Sequence, residues 1–247
     1  AYFKTALLGT SLLVEGVGAT AFLHGHGSHL PAFSATSPTN NGTSSKVKVT
    51  KSSHANVSNK PICSYFEVEI PTSQEGPPCQ DISVEDLTPT IKSLLSDTGM
   101  KHGSINIISR HTTTALTINE RESRLAKDMQ QYFLSLAPPD ERSSAAAAKE
   151  GVRYFHNDID QRPDSPEEAQ RCRENGWDID DPVELEKWRD QEPINSHSHL
   201  LSMLVGSSET IPVVDGDMVI GQWQSILLVD LDGPRDRTVG VQFIGFE

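Results

Sequence analysis

The sequence predicts a domain that mixes helices and strands and closes on an all-β portion. Three observations lead there. Gly103 to Ser109 reads as a buried strand, and Arg121 to Leu136 after it as a helix. Tyr65-Phe66-Glu67-Val68-Glu69-Ile70 alternates as a half-buried strand that Pro71 ends, and Leu87, Ile91, Leu94 and Leu95 then fall at helical spacing before Gly99. The last forty residues are short apolar runs separated by turn signals.

Composition bounds what such a chain can do. At 247 residues there is room for one or two domains. A hydrophobic fraction of 36% and a mean hydropathy of -0.40 suit one good core, not a core through the whole length. The net charge of -13 argues against general nucleic-acid binding and against an anionic membrane surface. No apolar run approaches the roughly 18–20 residues that span a bilayer. The cysteines (Cys63, Cys79, Cys172) are odd in number and lack Cys-x-x-Cys spacing, so neither a disulfide framework nor a cysteine zinc knuckle follows.

Residues 1–60 carry Lys4, Lys46, Lys48, Lys51 and Lys60 against the single acid Glu15, and are rich in Gly, Ser, Thr and Asn. They are expected to be disordered, or to begin with a targeting segment. A cytoplasmic protein is expected; a secretory or mitochondrial destination is the alternative if residues 1–21 act as a signal. His24, His26 and His29 lie in a Gly-rich tail, where an accidental cluster outweighs a metal site.

The globular part, 61–247, starts near Cys63. Asp81 to Ser83 is a possible short strand. The stretch from Arg110 to Glu120 then links the buried strand to the next helix, so His111, a run of hydroxyls, Asn119 and Glu120 are expected where a core strand ends and a helix begins. That is a common place for a ligand site. In the following helix Leu125, Met129, Tyr132, Phe133 and Leu136 form an apolar stripe that reads as core packing, and Pro138-Pro139 ends it. Ala145 to Ala148 reads as a connection.

Tyr154-Phe155-His156-Asn157-Asp158 opens a second polar cluster. An acidic insertion, 159–192, follows: from Asp158 to Glu192 there are thirteen acids and five bases. Residues 166–175 and 182–190 read as short surface helices, with a solvated face as the default. Pro193 to Gly206 reads as a capped helix on which His197 and His199 diverge by about 200°. Glu209–Val214, Ser225–Leu231 and Thr238–Phe246 read as strands, with Asp215-Gly216 as a hairpin turn. Arg235 and Arg237 follow the turn at Asp232-Gly233-Pro234 and could hold a phosphate or carboxylate.

Three histidines stand out: His111, His156 and His199. Neutral imidazoles can ligate a divalent ion, Zn or Mg, and activate its water. They can equally move protons without a metal, since their ordinary pKa is about 6.5. Glu120 and Asp158 could serve as general bases, orienting groups or ligands.

At these residues the chain resembles the YjbQ family, small proteins catalogued as uncharacterised and in places labelled secondary thiamine-phosphate synthase. The resemblance covers roughly 62–158 and 193–247. It rests on His111 through Glu120, Tyr154 through Asp158, Ser198-His199 through Gly206, Gly221-Gln222-Trp223-Gln224, and Asp230 through Arg237. Gln222 replaces the family's usual threonine, the segment between His156 and His199 is longer than in typical members, and the first sixty residues have no counterpart in the compact form.

The resemblance implies a compact α+β fold with a mixed or antiparallel sheet and packed helices, assembled as a homotrimer around a histidine-lined pocket. It implies His111, Glu120, Asp158 and Arg235 as the reacting groups. Thr112, Thr113, Asn119 and Asn157, with Trp223, Gln224 and Arg237, would contact a small phosphorylated substrate, and His111, His156 and His199 would hold the metal. The implied activity is transfer of a hydroxymethylpyrimidine group to a thiazole phosphate with loss of diphosphate. Metal-assisted hydrolysis of a small phosphorylated compound and a non-catalytic metal-binding or small-molecule-binding trimer are the alternatives. An interaction protein using the acidic insertion is a further class. No nucleic-acid or membrane partner is expected.

Overall fold

A computed structural model of the chain describes residues 60–72, 82–140 and 154–247. Of the segment read as disordered or targeting (1–60), residues 1–59, with the histidine cluster, lie outside these residues, as do Cys79, Asp81 and Ala145–Ala148.

The described chain runs β1 (Pro61–Pro71), β2 (Ser83–Asp86), α1 (Thr88–Thr98), β3 (His102–Ser109), β4 (Thr114–Asn119) and α2 (Ser123–Leu136). Two single 3-10 turns, Phe155–Asn157 and Ile159–Gln161, precede α3 (Pro166–Glu174) and α4 (Pro182–Gln191). Then come α5 (Ser196–Val205), β5 (Ser208–Val214), β6 (Asp217–Met218), β7 (Ser225–Asp230) and β8 (Asp236–Phe246). The fold is α+β, and every strand pair is antiparallel.

The strands make two sheets, one ordered β1-β8-β3-β5-β6 and one ordered β2-β7-β4. Alternation decides which side chains meet between them. Ile105 and Ile107 of β3, Ile211 of β5, and Val239, Val241 and Phe243 of β8 point into the main core. Leu116 of β4 and Ile226 and Leu228 of β7 meet them from the smaller sheet, and Ile91 and Leu95 of α1 close one side. The opposite face of the smaller sheet, Ala115 and Val229, packs with Leu201 of α5 in a second cluster. β7 is therefore buried on both faces, which is why its sequence is continuously apolar instead of alternating. Each large side chain so buried contributes about 1.5–3 kcal/mol.

Local chemistry explains the boundaries. Pro89 sits in the first turn of α1, and Gly99 ends the helix at φ +70° with its N–H on Ser96 O. Asp215 and Gly216 both have positive φ, 53° and 86°, as the tight turn between β5 and β6 requires. The acidic insertion folds into the two short helices expected, each N-capped by a side chain: Ser165 Oγ accepts from Glu168 N–H, and Asp181 Oδ1 from Val183 N–H. Among the described residues no helix is long and apolar enough to cross a membrane.

Two sequence expectations need correction. Thr114 to Asn119 is not a linker into a helix but strand β4, paired with β7 from Thr114↔Asp230 to Asn119↔Ser225. Its β-branched residues suit a pleated ladder, and that pairing wins. The stripe on α2 is covered only in part. Phe133 packs on the second cluster, whereas Tyr132 and Leu136 remain exposed.

A candidate histidine site at the strand ends

The β4–β7 ladder separates the sequence-predicted site residues into two groups. His111, Thr112, Thr113 and the segment Asp230–Arg237 lie at one end. Asn119, Glu120, Trp223 and Gln224 lie at the other, about 17 Å away at ~3.4 Å per residue. At that far end Asn119 Oδ1 accepts from Glu120 N–H, Gln224 Oε1 accepts from Gly221 N–H, and Trp223 is exposed. None of these four reaches the histidines within one chain.

At the near end, β3 delivers Ser109, Arg110 and His111. His111 Nε2 accepts the Thr238 N–H at 2.8 Å. That bond requires an unprotonated Nε2, so the neutral ring carries its proton on Nδ1. Burial, with Arg237 next, lowers the proton affinity of this ring below the ordinary histidine value. Thr112 is exposed beside it, while Thr113 is buried, its carbonyl accepting Leu231 N–H.

Hydroxyls sew α5 onto the strand ends. Ser198 Oγ donates to Leu231 O and Ser202 Oγ to Thr114 O. This fixes His199, half-buried on the same helix, across one cavity from His111. The cavity is about 570 Å³ and is lined among others by Arg110, His111, Thr112, His199, Ser202 and Met203. His197 is buried instead, as the divergence on a helix demands.

His156 comes from the 3-10 turn. Its ring meets His199 edge to face, with centroids 4.9 Å apart at 73°. Burial lowers the proton affinity of both rings. Arg162 adds to the effect at His156, and the His156 ring adds to it at His199, with Asp232 opposing. All three histidines are thus held as neutral imidazoles.

The remaining predicted residues divide between support and site. Asn157, fully buried, is a clip. Its Oδ1 accepts Ser196 N–H and its Nδ2 donates to Asp140, which leaves it no face for a ligand. Arg237 is 2% exposed, paired with Asp230 and donating to Asp232 O, so within one chain it braces the loop from beneath. Asp158 is half-buried and lines neither histidine cavity. Arg235 is half-exposed and pairs with Asp232 at 3.2 Å. Asp232 also accepts from Asn195 Nδ2 at 2.7 Å.

Sequence reasoning missed Asp230, Asp232 and Asn195. The signal was available in part: an aspartate ending the apolar run Ser225–Leu231 is a buried acid that needs a partner.

The three histidines do not form a metal site within one chain. His111 Nε2 is committed to Thr238. Among the described residues no three His, Cys, Asp or Glu side chains converge on a point that could hold an ion. His111, His156 and His199 as one ligand set therefore do not fit the geometry of the described residues. What the arrangement supplies is an uncharged donor at His111 Nδ1, a neutral His156–His199 pair, an arginine and several hydroxyls.

A pH dependence follows. In the unfolded chain these rings protonate near 6.5, and in the folded chain lower. The unfolded state therefore binds more protons in that window, and stability falls as pH drops through about 6.5 towards the lowered folded values. Melting temperature should hold level from pH 8 to 7 and fall by pH 5.5, with a shallower fall in His156→Gln. A level profile down to pH 5.5 would contradict the buried neutral pair.

A sequence model described as "UPF0047 protein YjbQ-like" matches residues 78–246. A UPF0047 protein of Methanothermobacter thermautotrophicus is 31% identical over 164 residues, 66% of this chain and 84% of that protein. The UPF0047 protein YugU of Bacillus subtilis is 24% identical over 161 residues, 65% of this chain and 88% of that protein. A crystal structure of a YbjQ-like protein of unknown function from Sulfolobus solfataricus superposes with a TM-score of 0.52 at 25% identity, over 75% of this chain and 99% of that one. A hypothetical protein from Aeropyrum pernix gives 0.52 at 26%, over 74% and 98%.

Proposed function

Because the chain belongs to the UPF0047 YjbQ-like family, we propose that it is a histidine-dependent enzyme acting on a small phosphorylated molecule in the strand-end cavity. The observation that carries this reading is the pair His111 and His199 facing one cavity, the first with its tautomer fixed by Thr238 N–H. His111 Nδ1–H and the Arg110 guanidinium, which also pairs with Glu67, would meet phosphate oxygens, with Thr112 and Ser202 at the wall. The neutral His199 ring, braced by His156, would take up or return a proton.

The reaction we assign is the transferase one. The thiazole nitrogen attacks the methylene carbon of the hydroxymethylpyrimidine diphosphate, a C–N bond forms, the C–O bond breaks and diphosphate leaves. Donors aimed at the departing anion stabilise it, and Arg235, whose charge acts on His111, is the second cation we assign to that role. No step is routed through a metal ion, because the histidines do not converge as ligands.

The test is formation of thiamine phosphate from the two phosphorylated precursors, with each variant's folding and assembly checked in parallel. His111→Ala should lower the rate about 100-fold or more. A His111→Ala protein that keeps its assembly and its rate would overturn the reading. Substrate binding without turnover in the unaltered protein would make this a non-catalytic binding protein.

We further propose that the chain assembles as a homotrimer through the outer face of α5. Leu200, Met203 and Leu204, at i, i+3 and i+4, are exposed, and Met203, 77% exposed, borders the cavity. A second copy on this face would cover the cavity mouth. Light scattering should give the mass of three chains, and Leu204→Glu should give one. A Leu204→Glu trimer would rule this face out.

A further inference from the structure

We propose that the acidic insertion builds a second binding site, for an amino-acid-sized zwitterion, beside His156. Helices α3 and α4 close around a cavity of about 480 Å³, with His156, Arg162, Asp164, Arg171, Cys172 and Trp188 among its lining residues. This cavity is separate from the strand-end one, and the proposal does not depend on the reaction assigned there.

The argument turns on which lining groups are already committed. Arg162 lies 5.4 Å over the Trp188 ring, donates to Glu168 at 2.8 Å and pairs with Glu192 at 3.0 Å. Its side chain and the two carboxylates are all half-buried or better, at 15%, 21% and 20% exposure. These four residues form a frame that holds its own charges together, in which Arg162 Nη1 is buried and makes no hydrogen bond beyond its ion pair with Glu192. The groups left over are different. Asp164 and Arg171 line the same cavity and carry no ion pair among the described residues. Asp164 uses only its backbone N–H, on Glu168, and Arg171 makes a single long contact with Glu167 O at 3.4 Å. Ser165 accepts from Glu168 N–H, which leaves its hydroxyl hydrogen to donate. Asn175 adds an amide.

The uncommitted groups are therefore one carboxylate, one guanidinium and two neutral polar groups. A purely anionic ligand would meet Asp164 and the Glu168 and Glu192 carboxylates. A purely cationic one would meet Arg162 and Arg171. A molecule with an ammonium and a carboxylate satisfies both free charges at once, the carboxylate on the Arg171 fork and the ammonium on Asp164. Its side chain would face the Trp188 and Cys172 wall, both 5% exposed. The volume suffices for an α-amino acid. The seated molecule would adjoin the His156 ring, and through it His199.

The experiment uses the full chain, with each of the twenty proteinogenic amino acids in turn as the probe and the Trp188 indole N–H resonance as the readout. At least one amino acid should move that resonance in a saturable titration. The N-acetyl amide of the same amino acid, which lacks both charges, should not. Arg171→Gln and Asp164→Asn, both at exposed positions, should each weaken binding about tenfold or more, while His111→Ala should bind as the unaltered protein does. Three results would overturn the proposal: no amino acid moving the resonance, binding within twofold of normal in both variants, or inorganic phosphate competing fully.

Discussion

Replacing Arg237 with Ala should cost about 3–5 kcal/mol of folding stability. Arg237 is 2% exposed and Asp230 is fully buried. The guanidinium pairs with Asp230 Oδ1 and donates to Asp232 O at 2.9 Å. Asp230 also accepts Thr72 Oγ1–H at 2.6 Å and Asp232 N–H at 3.1 Å, so the pair ties β1 to the loop after β7. Removing the arginine leaves a buried carboxylate without its cation, and the lost term is that desolvation more than the pair's own attraction. Asp230→Leu with Arg237→Met should recover a large part of the loss, since an apolar pair of similar volume has no charge to solvate. Urea denaturation of the three proteins, unaltered, single and double variant, reads this directly. A single Arg237→Ala costing under about 1 kcal/mol would mean that the pair is not the brace described. The same substitution should raise the proton affinity of His111, which Arg237 now lowers.

The second large effect is at a backbone contact. Gly103 of β3 and Gly245 of β8 face each other in the ladder. A Cβ on Gly103 would lie 2.2 Å from Ile244 O and 2.6 Å from Gly245 Cα, and one on Gly245 would lie 2.1 Å from His102 O. Gly103 also has φ +154°. The obstacle at both positions is main chain, which cannot swing aside as a side chain would. Gly103→Val should therefore cost about 3–5 kcal/mol, overpacking and backbone strain together. Hydrogen exchange of the β3 and β8 amides should show loss of protection from this end. Wild-type stability in Gly103→Val would refute the close approach.

These sites show where local sequence signals were sufficient and where they were not. α1, α3, α4 and the Asp215-Gly216 turn were legible because their signals are local: apolar spacing, caps, proline at the start and positive-φ turn residues. The C-terminal strands were legible for the same reason. β4 was not recognised as separating His111 from Asn119 and Glu120, because its strand character depends on pairing with β7, more than a hundred residues later. The burial of Arg237 is not legible for a related reason. A turn arginine is normally solvated, and only the tertiary fold puts Asp230 beneath it. The α2 stripe looked like core by period alone, and how much of it is covered depends on neighbours the period does not name.

The sequence by itself determined the family, the mixed helix-and-strand class and the three histidines worth following, because motif order and periodicity are properties of neighbouring residues. The tertiary structure decided that His111 and His199 share a cavity, that His156 touches His199, and that Trp223 and Glu120 stand at the opposite end of a ladder. It also decided that Arg237 and Asn157 support the site from beneath. Those facts depend on strand register and on long-range burial, where a buried charge or amide takes whatever partner the fold brings within hydrogen-bond distance.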